Sequence, residues 1–504
     1  MTSDFHEWLP RGPALALDDG THTLSFDDLH AHVASATAWL RGSGLSRVAS
    51  LADNGIDWLV ADLAMLGAGV VHVPLPGFFT PTQVAAACAA AGVEGVLLDP
   101  ASPLRALIAA AQVHGLAARP DGASPVAGLQ QLQLQGVAAA SQPQLPAGTA
   151  KVTFTSGSTG APKGVCLGVG GLLRVVGGVQ KATRPLGIRH HLCALPLAVL
   201  LENVAGAMVA LAKGATVHLR PAAALGWRGA AGFDAALLDQ NVRDTGTESL
   251  ILMPQMLRAW TAHLEQGHAA PDTLRLVAVG GAAVSAQAIL AARAAGLPAF
   301  EGYGLSEGGS VQTLNLPGAD RPGSAGRPLP HAHIQADEDG QLHVGGTLML
   351  GYIGQPGTAD DDLATGDVGE VDADGFVWVR GRRDNLIITG LGRNVSPEWL
   401  EALLRESADV SEAVVLPDLH GGLRAVIWPA VNAADAAIDA AVARANQQLP
   451  DYARLQGWGR ACRPLDAASG LATPGGKPLR AAIAAAHTRP HPETESPPLQ
   501  ETHA

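Results

Sequence analysis

Apolar residues recur along this chain with two different periods. Leu29, Val33, Ala36 and Leu40 fall at helical spacing, directly behind Ser25, Phe26, Asp27 and Asp28. A serine followed three places on by an acidic residue has the form of a capping box, so a helix is predicted to begin there and to stop at Gly42. Short unbroken apolar runs at Gly95–Leu98, Thr216–Leu219, 250–253 and Leu276–Val279 predict buried strands. Each lies between helical or loop-like stretches, as the strands of a parallel sheet do, and the alternation predicts an α/β architecture. The segment 143–148 reads as a loop leading into a strand at 151–154. A strand-like run at 375–379 ends in a charged turn at 381–385, which marks a domain boundary. Beyond it, Ser396 and Pro397 place a capping residue and a first-turn proline before a helix at 398–405. The predicted organisation is therefore a large domain at 1–383, a small domain at 384–487 and a disordered tail at 488–504, rich in proline, glutamate and threonine.

Composition narrows the class. The chain has 504 residues, enough for two or three domains, and is 47% hydrophobic and 16% charged, as globular proteins are. A net charge of −13 argues against a generic nucleic-acid binder but not against a local basic pocket for a nucleotide. The four cysteines, Cys88, Cys166, Cys193 and Cys462, form no C-x-x-C pair and suit a reducing compartment. The first residues lack a basic stretch followed by an apolar run, so no signal peptide is expected. Asp62 and Glu202 interrupt the two most apolar windows, so no transmembrane span is expected either. The expectation is a cytoplasmic protein.

The chemistry begins at residues 155–164. Thr155, Ser156, Ser158 and Thr159 supply hydroxyls, Gly157 and Gly160 let backbone N–H groups come close to phosphate oxygens, and Lys163 adds a positive charge. Pro162 stands where a Walker A loop requires glycine, so this is another kind of phosphate loop. A plain serine–glycine linker would not usually follow a β-branched strand and end in Pro162, Lys163 and Gly164.

This loop resembles the phosphate loop of the adenylate-forming (AMP-binding) superfamily, which holds acyl- and aryl-CoA synthetases, peptide-synthetase adenylation domains and luciferases. Further motifs follow in that family's order. Residues 302–307 resemble its tyrosine–glycine–x–threonine–glutamate signature. By that resemblance Tyr303 offers a face to adenine beside Gly304, Ser306 a hydroxyl to the α-phosphate, and Glu307 an oxygen ligand to magnesium. Serine at 306 keeps the hydroxyl of the commoner threonine. The turn 279–283, with Gly281 and Ala282, is similar to the family's adenine-side loop, and Asp367, after Thr365 and Gly366, resembles its ribose-binding carboxylate. Residues 381–387 and 392–398 resemble its hinge and the first segment of its mobile carboxy-terminal domain, with Arg382 contacting ribose or phosphates and Asp384 at the pivot. Residues 473–480 resemble its catalytic-lysine loop, with Lys477 as the lysine. The resemblance runs from the strand and helix near 23–40 to Arg480.

The resemblance implies an acyl-CoA synthetase/luciferase-like fold: a large amino-terminal domain of α/β subdomains and a small mobile α+β domain that rotates between two half-reactions. It implies ATP and magnesium as requirements and CoA as co-substrate. The expected reaction is activation of a carboxylic acid to an acyl-adenylate, pyrophosphate release, then transfer to the CoA thiol. Residues 195–203 are similar to a segment of long-chain fatty acyl-CoA synthetases, with Glu202 retained and Val199 in place of the usual histidine. A fatty acid is thus the leading substrate. Transfer to an acyl carrier protein, consumption of the adenylate in β-lactone formation, and a non-catalytic nucleotide-binding partner stand as alternatives.

Overall fold

A computed structural model describes residues 7–99, 105–112, 117–120, 124–126, 128–135, 143–155, 163–228, 232–355, 362–388, 394–418, 422–473 and 476–487. The expected tail at 488–504 lies outside the described residues, as do 156–162, most of the phosphate loop. The chain divides into two compact units, Met1–Asp384 and Asn385–Ala504.

Among the described residues the first unit carries three sheets. The central strands of a nine-stranded sheet, Leu15–Asp18, Thr216–Leu219, His190–Cys193, Ser249–Leu252, Leu276–Val279 and Ala299–Leu305, run parallel. Antiparallel strands close both edges: Thr23–Ser25 on one side, Ser310–Leu314 and Arg327–Pro328 on the other. An eight-stranded sheet holds the parallel strands Gly95–Leu98, Arg47–Leu51, Val71–Pro74 and Thr149–Thr155, then the antiparallel Lys163–Gly168 and Gly351–Tyr352. The third sheet is an antiparallel set, Ala332–Ala336, Gln341–Gly346, Asp362–Val371 and Val377–Arg382.

The helical stripe is buried as its spacing requires: Leu29, Val33, Ala36 and Leu40 are each at most 1% exposed and pack with Leu59, Leu63 and Leu211. Full burial of each leucine or valine here is worth roughly 1.5–3 kcal/mol. Ser25 caps this helix, Phe26–Ser43, in a reciprocal box with Asp28. The stop lies two residues past the expected Gly42: Gly42 remains helical, and Gly44, at φ 73°, makes the left-handed turn. Other boundaries shift similarly. The strand expected at 250–253 is Ser249–Leu252, because Met253 is already the N-cap of the helix Pro254–Glu265. The one expected at 375–379 is Val377–Arg382.

The second unit packs the strands Val410–Pro417, Leu423–Pro429 and Leu455–Arg460 with the helices Pro397–Leu404, Asp435–Gln448 and Arg480–His487, an α+β arrangement. The helix expected at 398–405 is Pro397–Leu404, and Ser396 does not cap it through its side chain. Its hydroxyl donates to Glu398 instead. No helix among the described residues is long and apolar enough to cross a membrane.

Candidate active site

Parallel strands leave their carboxyl ends open at one edge of a sheet, and functional side chains collect there. Val279 pairs with Glu301, so the turn with Gly281 and Ala282 lies beside Gly302 and Tyr303. Gly281 adopts φ +82° and both turn residues are exposed. A Cβ on Gly280 would sit 3.6 Å from the Gly302 carbonyl and 3.7 Å from Leu201 Cδ2. The expected adenine-side turn, the 302–307 motif and the segment after Val199 therefore meet at one point. Gly304 permits the fold-back of this motif, since a Cβ there would lie 2.2 Å from the Ser310 carbonyl.

Tyr303 and Asp367 come together across 64 residues. The Tyr303 hydroxyl donates to Asp367 Oδ2 at 2.6 Å, and Arg382 Nη1 donates to Asp367 Oδ1 at 3.2 Å and to the Thr365 carbonyl at 3.1 Å. Asp367 and Arg382 are register partners in the third sheet, which fixes this pairing locally. Burial pushes the Tyr303 phenol well above its ordinary 10.0, with the Asp367 charge adding to the effect, so it stays protonated and donates. Burial likewise raises the Asp367 carboxyl, against the opposing pull of Tyr303 and Arg382. An ionised carboxylate offers about four acceptor sites. Two are used here, and the remainder suit a vicinal diol such as ribose.

The phosphate-loop ends are also placed. Thr155 and Lys163 pair across the hairpin of Thr149–Thr155 and Lys163–Gly168, while Ser156, Gly157, Ser158, Thr159 and Gly160 lie outside the described residues. The Lys163 ammonium sits 5.7 Å from the centre of the Tyr352 ring, and the Tyr352 hydroxyl donates to Glu307 Oε1 at 2.9 Å. Glu307 lies on the short turn Ser306–Gly308, which Ser306 opens, and its carbonyl accepts from Met349 N at 2.6 Å. One tyrosine thus bridges the lysine of the loop and the carboxylate of the second motif. A carboxylate oxygen held this way, close to a lysine suited to phosphate, is a hard ligand that fits magnesium.

Behind this surface the chain 201–208 forms a π-helix, a form concentrated at functional sites. Val199, Leu201 and Ala205 are half-buried, whereas Glu202 and Asn203 are fully buried. Glu202 accepts from Leu195 N at 2.9 Å and pairs with His191 Nε2 at 3.0 Å. Gly206 makes room for that pair, since a Cβ there would lie 2.1 Å from Glu202 Oε1. Asn203 faces the other sheet. It donates to Asp62 Oδ2 at 2.9 Å and accepts from the Lys151 ammonium. His191, Cys193 and Glu202 bring possible metal-ligand atoms within 4.8 Å of one another. With His191 and Glu202 hydrogen-bonded to each other, and His191 also to Ser249, we read this cluster as a structural brace.

Sequence reasoning missed Tyr352 and the Asp62–Lys151–Asn203 network. The chain has only three tyrosines, so the scarcity of the residue was a usable signal. Asp62, an acidic residue inside an apolar window, was the one signal for the network. Asp384 lies in the turn Arg383–Asn385, where the first unit ends. Lys477 belongs to the second unit. Its side chain is exposed, while its backbone is held at both ends: its N–H donates to Thr473 Oγ1 at 3.0 Å and its carbonyl accepts from Thr473 N at 2.8 Å.

A model of the AMP-binding enzyme family matches residues 7–353. A long-chain-fatty-acid–CoA ligase of Mycobacterium bovis is 31% identical over 331 residues, 55% of this chain and 54% of the relative, so that match spans about half the relative's length. The 4-coumarate–CoA ligase 5 of Oryza sativa subsp. japonica is 28% identical over 447 residues, 81% of this chain and 80% of the relative. Among solved structures, o-succinylbenzoate CoA synthetase from Bacillus subtilis with its acyl-adenylate intermediate superposes with a TM-score of 0.75 at 22% identity, over 96% of this chain and 98% of that one. An anthranilate CoA ligase with anthranoyl-AMP gives 0.79 at 19%, over 97% and 98%. At these identities the superpositions establish the fold, that of the acyl-CoA synthetases, as expected.

Proposed function

We propose an acid–thiol ligase function for this chain, which belongs to the AMP-binding enzyme family: it activates a carboxylic acid with ATP as an acyl-adenylate and passes the acyl group to CoA. The observation that carries this reading is the convergence, in one unit, of a paired carboxylate for a diol and a lysine–tyrosine–glutamate bridge at the mouth of the 155–163 loop.

The chemistry needs positioned donors and cations rather than an acid–base triad. A carboxylate must approach a polyanion, attack the α-phosphorus and expel pyrophosphate. Asp367 accepts from the ribose hydroxyls, with Tyr303 and Arg382 fixing its orientation. Lys163 and the hydroxyls of Thr155, Ser156, Ser158 and Thr159 hold phosphate oxygens, and Ser306 faces the α-phosphate. Glu307 would hold magnesium, which would supply charge neutralisation at the phosphates. Lys477 brings the cation that the attacking carboxylate requires. Large and small domains, joined at Asp384, alternate between the two half-reactions.

For the acid, relatives are named for fatty, coumaric, indoleacetic and succinylbenzoic acids, so the family leaves the class open. Half-buried Leu201, Ala205 and Met253 pack against one apolar cluster that reaches Gly280 through Leu201, and we favour a fatty acid. The test is a pyrophosphate-release screen with ATP across aliphatic and aromatic acids, with and without CoA. We expect release that depends on both ATP and an aliphatic acid, and an acyl-CoA product. Release with aromatic acids alone would refute the substrate assignment, and none with any acid would refute the ligase.

Tyr352→Phe is expected to slow adenylate formation roughly tenfold, the worth of one hydrogen bond to a charged group, and to raise the magnesium concentration needed for half-maximal rate. An unchanged magnesium titration would show that the Tyr352–Glu307 bond does not prepare the metal site.

A further inference from the structure

The second unit contains a polar cluster that links its first residue to the lysine loop. Glu398, on the first turn of the helix Pro397–Leu404, is its hub. Its Oε1 accepts from Asn385 Nδ2 at 2.5 Å and from Arg480 Nη2 at 3.2 Å, and its Oε2 accepts from Ser396 Oγ at 2.9 Å. Three chain segments therefore converge on one carboxylate. Asn385 is the residue at which the chain enters the second unit. Arg480 opens the helix Arg480–His487, three positions after Lys477.

Arg480 is fixed from its other side as well. Its guanidinium grips both oxygens of Glu401, which is 3% exposed, and Nη1 also donates to the Val415 carbonyl at 3.0 Å. Two parallel N–H bonds to one carboxylate set the plane of a guanidinium, which a single contact would leave to rotate. Glu401 is held in turn by Val415 N at 2.8 Å. Little slack separates Arg480 from Lys477. Leu479 N donates to the Leu471 carbonyl at 2.8 Å, Ala472 bridges Pro478, and Thr473 holds both backbone groups of Lys477. Among the described residues, the backbone of Lys477 is held and its side chain is exposed.

We infer that Glu398 is a positioning residue for the Lys477 step: by holding Asn385 and Arg480 together, it makes the lysine loop and the entry to the second unit one rigid piece. A rotation about the junction is then delivered to the ammonium without loss in the intervening chain. The inference rests on the assignment of Lys477 to adenylate formation. It predicts an effect on one half-reaction only, because thioester formation does not need the lysine.

The test compares Glu398→Ala, Glu398→Gln, Asn385→Ala, the double variant Asn385→Ala/Glu398→Ala and Lys477→Ala in the full chain. Adenylate formation is followed by pyrophosphate release, and thioester formation starts from supplied acyl-adenylate. Glu398→Ala is expected to lower kcat for adenylate formation about 30-fold, a size consistent with a small misplacement of a catalytic group. The KM values for ATP and acid should stay within about twofold, since neither touches Glu398, and thioester formation should be unchanged. Glu398→Gln keeps an acceptor oxygen and should recover most of the rate. The double variant should be no slower than Glu398→Ala, because both changes break one bracket. Amides of Gly476, Lys477 and Leu479 should exchange hydrogen faster in Glu398→Ala and not in Glu398→Gln.

Equal losses in both half-reactions, unchanged exchange at Gly476, Lys477 and Leu479, or additive effects in the double variant would each overturn the bracket. Lys477→Ala that leaves adenylate formation intact would overturn both the bracket and the role given to the lysine. Inactive Lys477→Ala beside a normal Glu398→Ala would overturn the bracket alone.

Discussion

Lys477→Ala is expected to slow adenylate formation by about 10²–10³-fold, the loss that follows removal of one transition-state donor, and to spare thioester formation from supplied acyl-adenylate. As the acid's carboxylate meets the α-phosphate, negative charge accumulates between two groups that already repel. A positioned ammonium offsets that charge most when the two come closest, so its removal acts on the rate more than on ground-state binding. Protein stability should hardly change. The side chain is exposed and the loop is held through the Lys477 backbone and Thr473, which alanine leaves intact. Surface changes of this kind stay within about 0.5 kcal/mol. The decisive measurement is the pair of half-reaction rates on one preparation with an unaltered melting temperature. Equal loss in both steps, or a lowered melting temperature that accounts for the loss, would remove the lysine from its assigned place.

Lys151→Met is expected to destabilise the protein by about 3–5 kcal/mol, the cost of leaving a buried charge without its partner. Lys151 lies on the strand Thr149–Thr155, its ammonium 2.8 Å from Asp62 Oδ1, and both side chains are at most 1% exposed. Asp62 also holds His72 Nδ1 at 2.5 Å and Asn203 Nδ2 at 2.9 Å, while His72 Nε2 meets Ser50 Oγ at 2.7 Å. These contacts describe a charged lysine, a charged aspartate and a neutral imidazole that donates through Nδ1. The double variant Lys151→Met/Asp62→Asn removes both charges. With the ammonium gone, the Asn203 amide can turn its oxygen towards the amide introduced at position 62, so more than half of the lost stability should return. Unfolding midpoints in urea, at unchanged slope, measure both variants. A double variant as unstable as the single one would mean that packing, not charge, dominates the site.

Acid should weaken the same network. Burial lowers the His72 pKa from its ordinary 6.5, so protonation favours the unfolded chain, and stability falls as the pH drops below that value. Burial opposes ionisation of Asp62, but Lys151 and His72 outweigh it and hold the carboxyl far below its ordinary 3.8. Its contribution is present above 3.8 and is lost as the pH falls further. Stability of the wild-type protein should therefore decline in two stages, the first beginning near pH 6.5.

What the sequence made legible follows the range of the interactions involved. The stripe from Leu29 to Leu40 and its capping box are local, and both were found where expected. The end of that helix was misplaced because glycine alone does not say whether it takes helical or left-handed dihedrals, and Gly42 and Gly44 divide those roles. Met253 read as part of a strand because an apolar N-cap looks like a strand residue. In the candidate site, hydroxyls, glycines and carboxylates could be named from their chemistry in sequence. Their partners could not: Tyr352 reaches Glu307 across 45 residues, and Asp367 reaches Tyr303 across 64. Asp62 was legible only as an interruption of an apolar window. That it is half of a buried ion pair depends on where Lys151 lies in space. Glu202 and Asn203 fit either a pocket wall or a buried helix, and nothing local reveals that neighbouring residues of a π-helix brace opposite sheets.

The way the strands of the first unit are shared out bears on its synthesis. Leu15–Asp18 leaves the ribosome early, yet its parallel partner Thr216–Leu219 follows roughly 200 residues later, about 10–40 s at usual elongation rates. The eight-stranded sheet begins with Arg47–Leu51 but is finished by Gly351–Tyr352, after every strand of the nine-stranded sheet has been made. Neither sheet can close as an early folding unit. Strand edges therefore stay open until about residue 352 has been made, and fragments cut between the sheets are expected not to fold alone.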